Sequence, residues 1–148
     1  MEDKKFSITI NASRSKVWDM LWGSETYPQW TQPFCEGSFA EGDWQEGSKM
    51  LFLDPKRDGM ISKVAKNIPN EFLSLEMIGE VKKGVEDYDS PGAKAVIGGY
   101  ENYTLTEAND ETTVTAIIGG AAMPKEIEAY LIAAWPKALE ALKTISEK

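Results

Sequence analysis

Histidine is absent from all 148 residues. That removes the commonest general base and the commonest ligand for zinc and other transition metals. A Ser-His-Asp hydrolase, a Cys-His nucleophile and a histidine-based metal centre are thereby excluded. Cysteine is nearly absent too: Cys35 stands alone, so no disulfide can close within the chain, and folding without such staples fits a reducing compartment. Basic residues are few beside acidic ones, 16 against 24, for a formal net charge of −8 and a pI near 4.6. A surface of that sign repels phosphate backbones and anionic headgroups, which disfavours nucleic acid and membranes as partners. No apolar run reaches the length of a membrane span, and the opening MEDKKFSITI lacks the apolar core of a secretory signal. A cytoplasmic location is expected.

What is present suits a packed interior. Hydrophobic residues make up 42% of the chain, with five Trp, five Tyr and five Phe. That is enough apolar area for one domain covering residues 1–148, with no internal repeat or low-complexity tract.

Residues Lys5 to Ile10 alternate apolar and polar and predict a half-buried strand. Ser13 is placed to cap a helix through Trp22, in which Val17, Trp18 and Leu21 form one stripe. Gly23 ends it, and Ser24 opens a second short helical segment, SETYPQW. From Gly37 to Val81, short runs separated by Glu46-Gly47, Asp58-Gly59 and Pro69-Asn70 predict an antiparallel meander. Lys82 to Ala95 is polar and carries Gly84, Pro91 and Gly92, so an exposed loop is expected there, placed either as a lid or as solvated decoration. Gly99–Glu107 and Glu111–Gly119 form a Thr-rich hairpin turning at Ala108-Asn109-Asp110. From Pro124 onward, Ile127, Leu131, Ala134, Ala138, Leu142 and Ile145 recur at helical spacing, flanked by Trp135 and Leu139. That wide stripe, on a helix of about six turns, requires a large cover.

The order is strand, two short helices, about six antiparallel strands and a long terminal helix. It predicts an α+β helix-grip architecture, a curved antiparallel sheet wrapped around the C-terminal helix, with two short helices after the first strand. The segments ITINASRSKVWDML, YPQWTQPFCEG, GDWQEGSKMLF, GGYENYTLTEANDETTVTAII and AAWPKALEALKTISEK together resemble the SRPBCC superfamily, START-like and birch-pollen-allergen-like. Within it they are most similar to the branch named after the activator of the ninety-kilodalton heat-shock-protein ATPase. The resemblance runs over essentially the whole chain. It implies a hydrophobic ligand in the helix-grip cavity, in a superfamily that also includes lipid-transfer domains, polyketide cyclases, aromatases, hormone receptors and co-chaperone domains.

Residues facing such a cavity follow from strand parity. With Leu105 and Val114 inward, Glu101 and Tyr103 share that face; Leu73, Leu75 and Met77 share another, and Met50 and Phe52 point inward on theirs. Met50, Met77 and Met123 suit a pocket that accepts varied shapes. Trp30 and Phe34 fall where the resemblance puts the cavity mouth, with Leu131 and Trp135 on the long helix. Plain core packing is the alternative role of each of these apolar residues. A carboxylate at 101 facing an apolar space would have a raised pKa unless paired. Tyr100 and Tyr130 offer hydroxyls to a ligand carbonyl. Cys35 has no partner to lower its pKa, and Glu86, Asp87 and Asp89 lack the pattern of a calcium loop.

Three functions follow in order. The first is binding of a small hydrophobic molecule with no catalytic residue, cofactor or metal, and with a second copy of the chain as a further candidate partner. The second is a cyclase or aromatase in which Glu101 and Tyr103 or Tyr100 act as acid and base, which requires Glu101 to be buried and unpaired. The third is a co-chaperone-like interaction domain.

Overall fold

The computed structural model describes residues 3–121 and 123–148. The alternation at the start becomes β1 (Lys4–Ile10), with Phe6, Ile8 and Ile10 turned toward the core and Lys5, Ser7 and Thr9 exposed. Helix α1 (Arg14–Trp22) begins at Ser13, whose hydroxyl accepts the Lys16 amide, and stops at Gly23. Helix α2 (Tyr27–Thr31) starts later than the glycine–serine junction predicts. Ser24 to Thr26 form a turn, and Pro28, with its preset φ, supplies the first helical turn.

The remaining elements are β2 (Phe39–Glu41), β3 (Lys49–Leu53), β4 (Gly59–Ile68), β5 (Phe72–Lys82), β6 (Val85–Asp87), α3 (Pro91–Val96), β7 (Tyr100–Ala108), β8 (Glu111–Gly119) and α4 (Lys125–Ser146). The strands form one antiparallel sheet in the order β1-β8-β7-β5-β4-β3-β2, with β6 added alongside β5. Because β1 and β2 lie at opposite edges, α1 and α2 carry the chain from one edge to the other. The sheet curls into a half-barrel, and α4 lies against it with Ala134, Trp135, Ala138, Leu139 and Leu142 buried. These pack into one core with Ile10, Val17, Leu21, Leu73, Leu105 and Val114, drawn from β1, β5, β7, β8 and α1. The α+β helix-grip architecture is the one expected.

Two expectations change. Ile127, the first residue of the apolar stripe, is 50% exposed, so the sheet covers α4 only beyond its first turns. The polar segment 82–95 is built rather than looped: Lys83-Gly84 make a tight turn with positive φ at both residues, β6 pairs back on β5, and Ser90 caps α3. The residues that read as breakers are the turn glycine and the first-turn proline of a helix. Ala93 is fully buried, Asp87 accepts the Asp89 and Ser90 amides, and Glu86 pairs with Lys49 at 2.7 Å. The acidic cluster therefore does local structural work. No helix among the described residues is long and apolar enough to cross a membrane.

Candidate functional site

The curl of the sheet and the side chains of α2 and α4 leave a cavity of about 350 Å³ between them. A ligand site in this size range is small but ordinary. Of the ten residues singled out by strand and helix pattern or by the resemblance, Trp30, Phe34, Phe52, Met77, Glu101, Tyr103, Leu131 and Trp135 line it. Met50 does not. It is completely buried under the loop after β2, where its Sδ accepts the Trp44 amide at 3.3 Å and Gly42 leaves it no space for a side chain above. Met123 lies instead beside a separate crevice of about 10 Å³, with Lys4, Phe6 and Glu128. It precedes α4, and its crevice shares Ile118 and Leu131 with the lining of the main cavity without Met123 itself reaching that lining. Tyr100 donates to Asp3 Oδ1 at 2.5 Å and Tyr130 donates to the Phe34 carbonyl, so neither hydroxyl serves the cavity.

Aromatic rings make a continuous wall. Tyr27 meets Trp30 edge-on at 5.5 Å, Trp30 lies 6.4 Å from Trp135, and Trp135 packs against Phe34 at 4.9 Å and Tyr103 at 5.9 Å. Behind the cavity Phe6 stacks on Trp135 at 5.6 Å and Trp22 meets Tyr103 edge-on at 4.9 Å. Such edge-to-face and offset contacts each add to the area term and hold ring orientations fixed. Trp30 is held as well by its indole N–H, which donates to the Leu21 carbonyl at 3.0 Å.

The polar groups in this wall are few. Glu101 sits in the ladder between Leu75 of β5 and Ile118 of β8, so its nearest neighbours on the inner face are aliphatic. Tyr103 donates to its Oε2 at 2.8 Å, while Oε1 accepts no hydrogen bond and no Lys or Arg pairs with it among the described residues. Although the residue as a whole keeps partial exposure, removal of its carboxyl from water pushes its pKa up, offset in part by the Tyr103 bond. Burial, followed by the nearby carboxylate, raises the tyrosines Tyr103 and Tyr27 as well. Ser62 pairs with Met50 and Met77 across its strand neighbours, is 1% exposed, and its Oγ has no partner although it borders the cavity. At the rim stand Asp54, Asp58 and the exposed Cys35, whose thiol is pushed up by burial, Asp54 and Glu36. The condition for acid–base chemistry at Glu101 is met on one side only: no cation pairs with it, but a tyrosine holds one of its oxygens.

A raised carboxyl pKa has a definite sign in stability. Between the ordinary carboxylate value and the raised one, the folded chain holds more protons than the unfolded chain, so Glu101 lowers stability as pH rises through that window. The Glu101→Gln protein, uncharged at every pH and still able to accept from Tyr103, is expected to melt above wild type at pH 8 and to converge with it near pH 4. Equal melting temperatures at pH 8 would place the carboxyl in water.

Tyr27, Ser62 and Ile118 were not anticipated. Tyr27 lies three residues before Trp30, a helical spacing that could have grouped them. Ser62 gave no signal, because a serine in an alternating strand reads as solvent-facing. Among the described residues, no group of three His, Cys, Asp or Glu is arranged to hold a metal ion.

With this geometry in hand, comparison with known proteins gives a consistent result. The pattern of the family described as Activator of Hsp90 ATPase homolog 1-like protein matches residues 11–147. No curated protein matches significantly. Among solved structures, the Aha1 dimer from Colwellia psychrerythraea is similar at 19% identity and a TM-score of 0.76, covering 99% of this chain and 97% of that one. The protein MLL2253 from Mesorhizobium loti is 17% identical with a TM-score of 0.73, covering 97% and 95%. CalU16 from Micromonospora echinospora is 14% identical with a TM-score of 0.67, covering 97% and 75%. At these identities the likeness is one of fold.

Proposed function

The chain belongs to the Activator of Hsp90 ATPase homolog 1-like family, and we propose that it is a cytoplasmic binding protein for a small, flat, mainly apolar molecule held between the sheet and α4 without chemical change. One observation carries this reading: the aromatic cavity is bordered by a buried hydroxyl, Ser62 Oγ, that has no partner among the described residues, and by half-buried Glu101, whose Oε1 accepts no hydrogen bond from them. A buried polar atom without a partner costs about 1–3 kcal/mol, and a ligand that supplies the partner recovers it. The remaining wall offers ring faces to a planar body and a soft thioether, Met77, between the two polar positions.

A neutral planar probe tests the reading. 1-Naphthylmethanol is expected to bind saturably below about 1 mM, the range ligand efficiency allows for so small a molecule. The indole signals of Trp30 and Trp135 should shift in the nuclear magnetic resonance spectrum while that of Trp18, outside the cavity, stays in place. Ser62→Val should raise the melting temperature by a few degrees, because it removes an unsatisfied hydroxyl. The same change should weaken the probe. Absence of any shift at saturation of solubility would end the proposal.

A further inference from the structure

The charged side chains that line the cavity carrying the proposed binding role are all acidic. Its lining includes Glu101 in depth and Asp54 and Asp58 at the rim, and no lysine or arginine. Tyr27, Trp30, Tyr103 and Trp135 stand around the same space with successive ring separations of 5.5 to 6.4 Å between Tyr27 and Trp30, Trp30 and Trp135, and Trp135 and Tyr103. Ring faces present negative potential, and several of them around one carboxylate make a setting that attracts a desolvated organic cation. The rim carboxylates and the net charge of −8 act in the same direction during approach and oppose fatty acids and other anions.

We infer that the ligand class is a planar hydrophobic amine, its ammonium placed against Glu101 and its rings against the aromatic wall. This rests on the binding reading above and narrows it by charge. The protein's own groups give Glu101 a hydroxyl donor and aliphatic neighbours but, among the described residues, no cationic side chain. A bound ammonium supplies the missing counter-charge, and Ser62 Oγ remains for a polar substituent on the far side of Met77.

The sign of the pH dependence follows. Burial raises the Glu101 carboxyl, so within its titration range the site gives up a proton when a cation enters. Binding of an amine therefore strengthens as pH rises through the carboxyl's range, and binding of a neutral molecule does not. The other groups facing this position cannot supply the effect. Tyr103 of β7, Tyr27 of α2 and Cys35 at the rim are all raised and stay uncharged there. β5, β8 and α4 contribute Leu75, Met77, Ile118, Leu131 and Trp135, none of which titrates. Asp54 and Asp58, at the rim, accept the backbone amides of Lys56, Asp58 and Lys83, and the Glu101→Gln variant separates their contribution from that of Glu101.

Three probes of one shape decide it by calorimetry: 1-naphthylmethylamine, 1-naphthylmethanol and 1-naphthylacetate. At pH 7.5 the amine is expected to bind at least about tenfold more tightly than the alcohol, the increment of one charge-assisted contact, with the carboxylate weakest. Glu101→Gln should reduce the amine's advantage over the alcohol to about threefold or less. Titrating the wild-type protein from pH 7.5 to 4.5 should weaken the amine alone, a measurement that needs no variant. An alcohol that equals the amine, or an amine preference that survives in Glu101→Gln, overturns the charge assignment and leaves the binding role standing. Failure of all three probes overturns both.

Discussion

Replacing Trp135 by alanine lowers stability by about 3–5 kcal/mol, the usual range for deleting a buried large aromatic, and enlarges the cavity. Trp135 is 2% exposed and is the ring through which the others connect: Phe6, Trp30, Phe34 and Tyr103 all pack on it. Few neighbours can collapse into the space, because α4 is held farther along by Ala138, Leu139 and Leu142. The void then joins the existing cavity. A chemical complementation follows: indole, added at millimolar concentration, should recover part of the lost melting temperature in Trp135→Ala and do much less for wild type. Denaturant unfolding gives the first quantity and thermal melts the second. A loss below about 1 kcal/mol would mean that the ring anchors nothing.

Trp30→Ala is expected to be as damaging for a different reason. Leu21 lies in the last turn of α1, where helix carbonyls have no partner within the helix. The Trp30 indole satisfies that carbonyl at 3.0 Å and is itself 1% exposed. Alanine therefore removes a buried ring, about 3–5 kcal/mol, and leaves a carbonyl unpaired where α1 and α2 meet. Trp30→Phe keeps most of the ring and loses only the donor, so it should fall between the two, about 1–3 kcal/mol below wild type. If Phe and Ala prove equal, the hydrogen bond and not the packing dominates. If Phe equals wild type, the bond contributes nothing.

Much of the candidate site was legible because strand parity is strict. Assigning Leu105 and Val114 to the interior placed Glu101 and Tyr103 there with them, and their position on the cavity wall follows from that period of two. Phe52 and Met77 came by the same rule. Met50 obeyed the rule too, facing inward, but the loop from Gly42 to Trp44 closes over it. Parity gives the face of a side chain and says nothing of what later covers it. Ser62 shows the converse: nothing local marks a serine as buried, and only its position opposite Met50 and Met77 makes it so.

The terminal helix makes the same division. Its apolar repeat showed that a helix forms and needs a cover, yet Ile127, equal to Leu142 in that repeat, is half exposed while Leu142 is fully buried. By itself the sequence determined the long strands and helices and their order, though not β6 and α3, together with the α+β architecture and the acidic, histidine-free chemistry. These depend on short-range periodicity and on composition, which are local properties of the chain. The tertiary structure decided which inward residues border open space and which are sealed, that Glu101 has a tyrosine partner and no cation, and that segment 82–95 folds back on β5. Those outcomes depend on the curl of the sheet and on groups far apart in sequence, such as Leu75 and Ile118 on either side of Glu101. No local pattern encodes such distances.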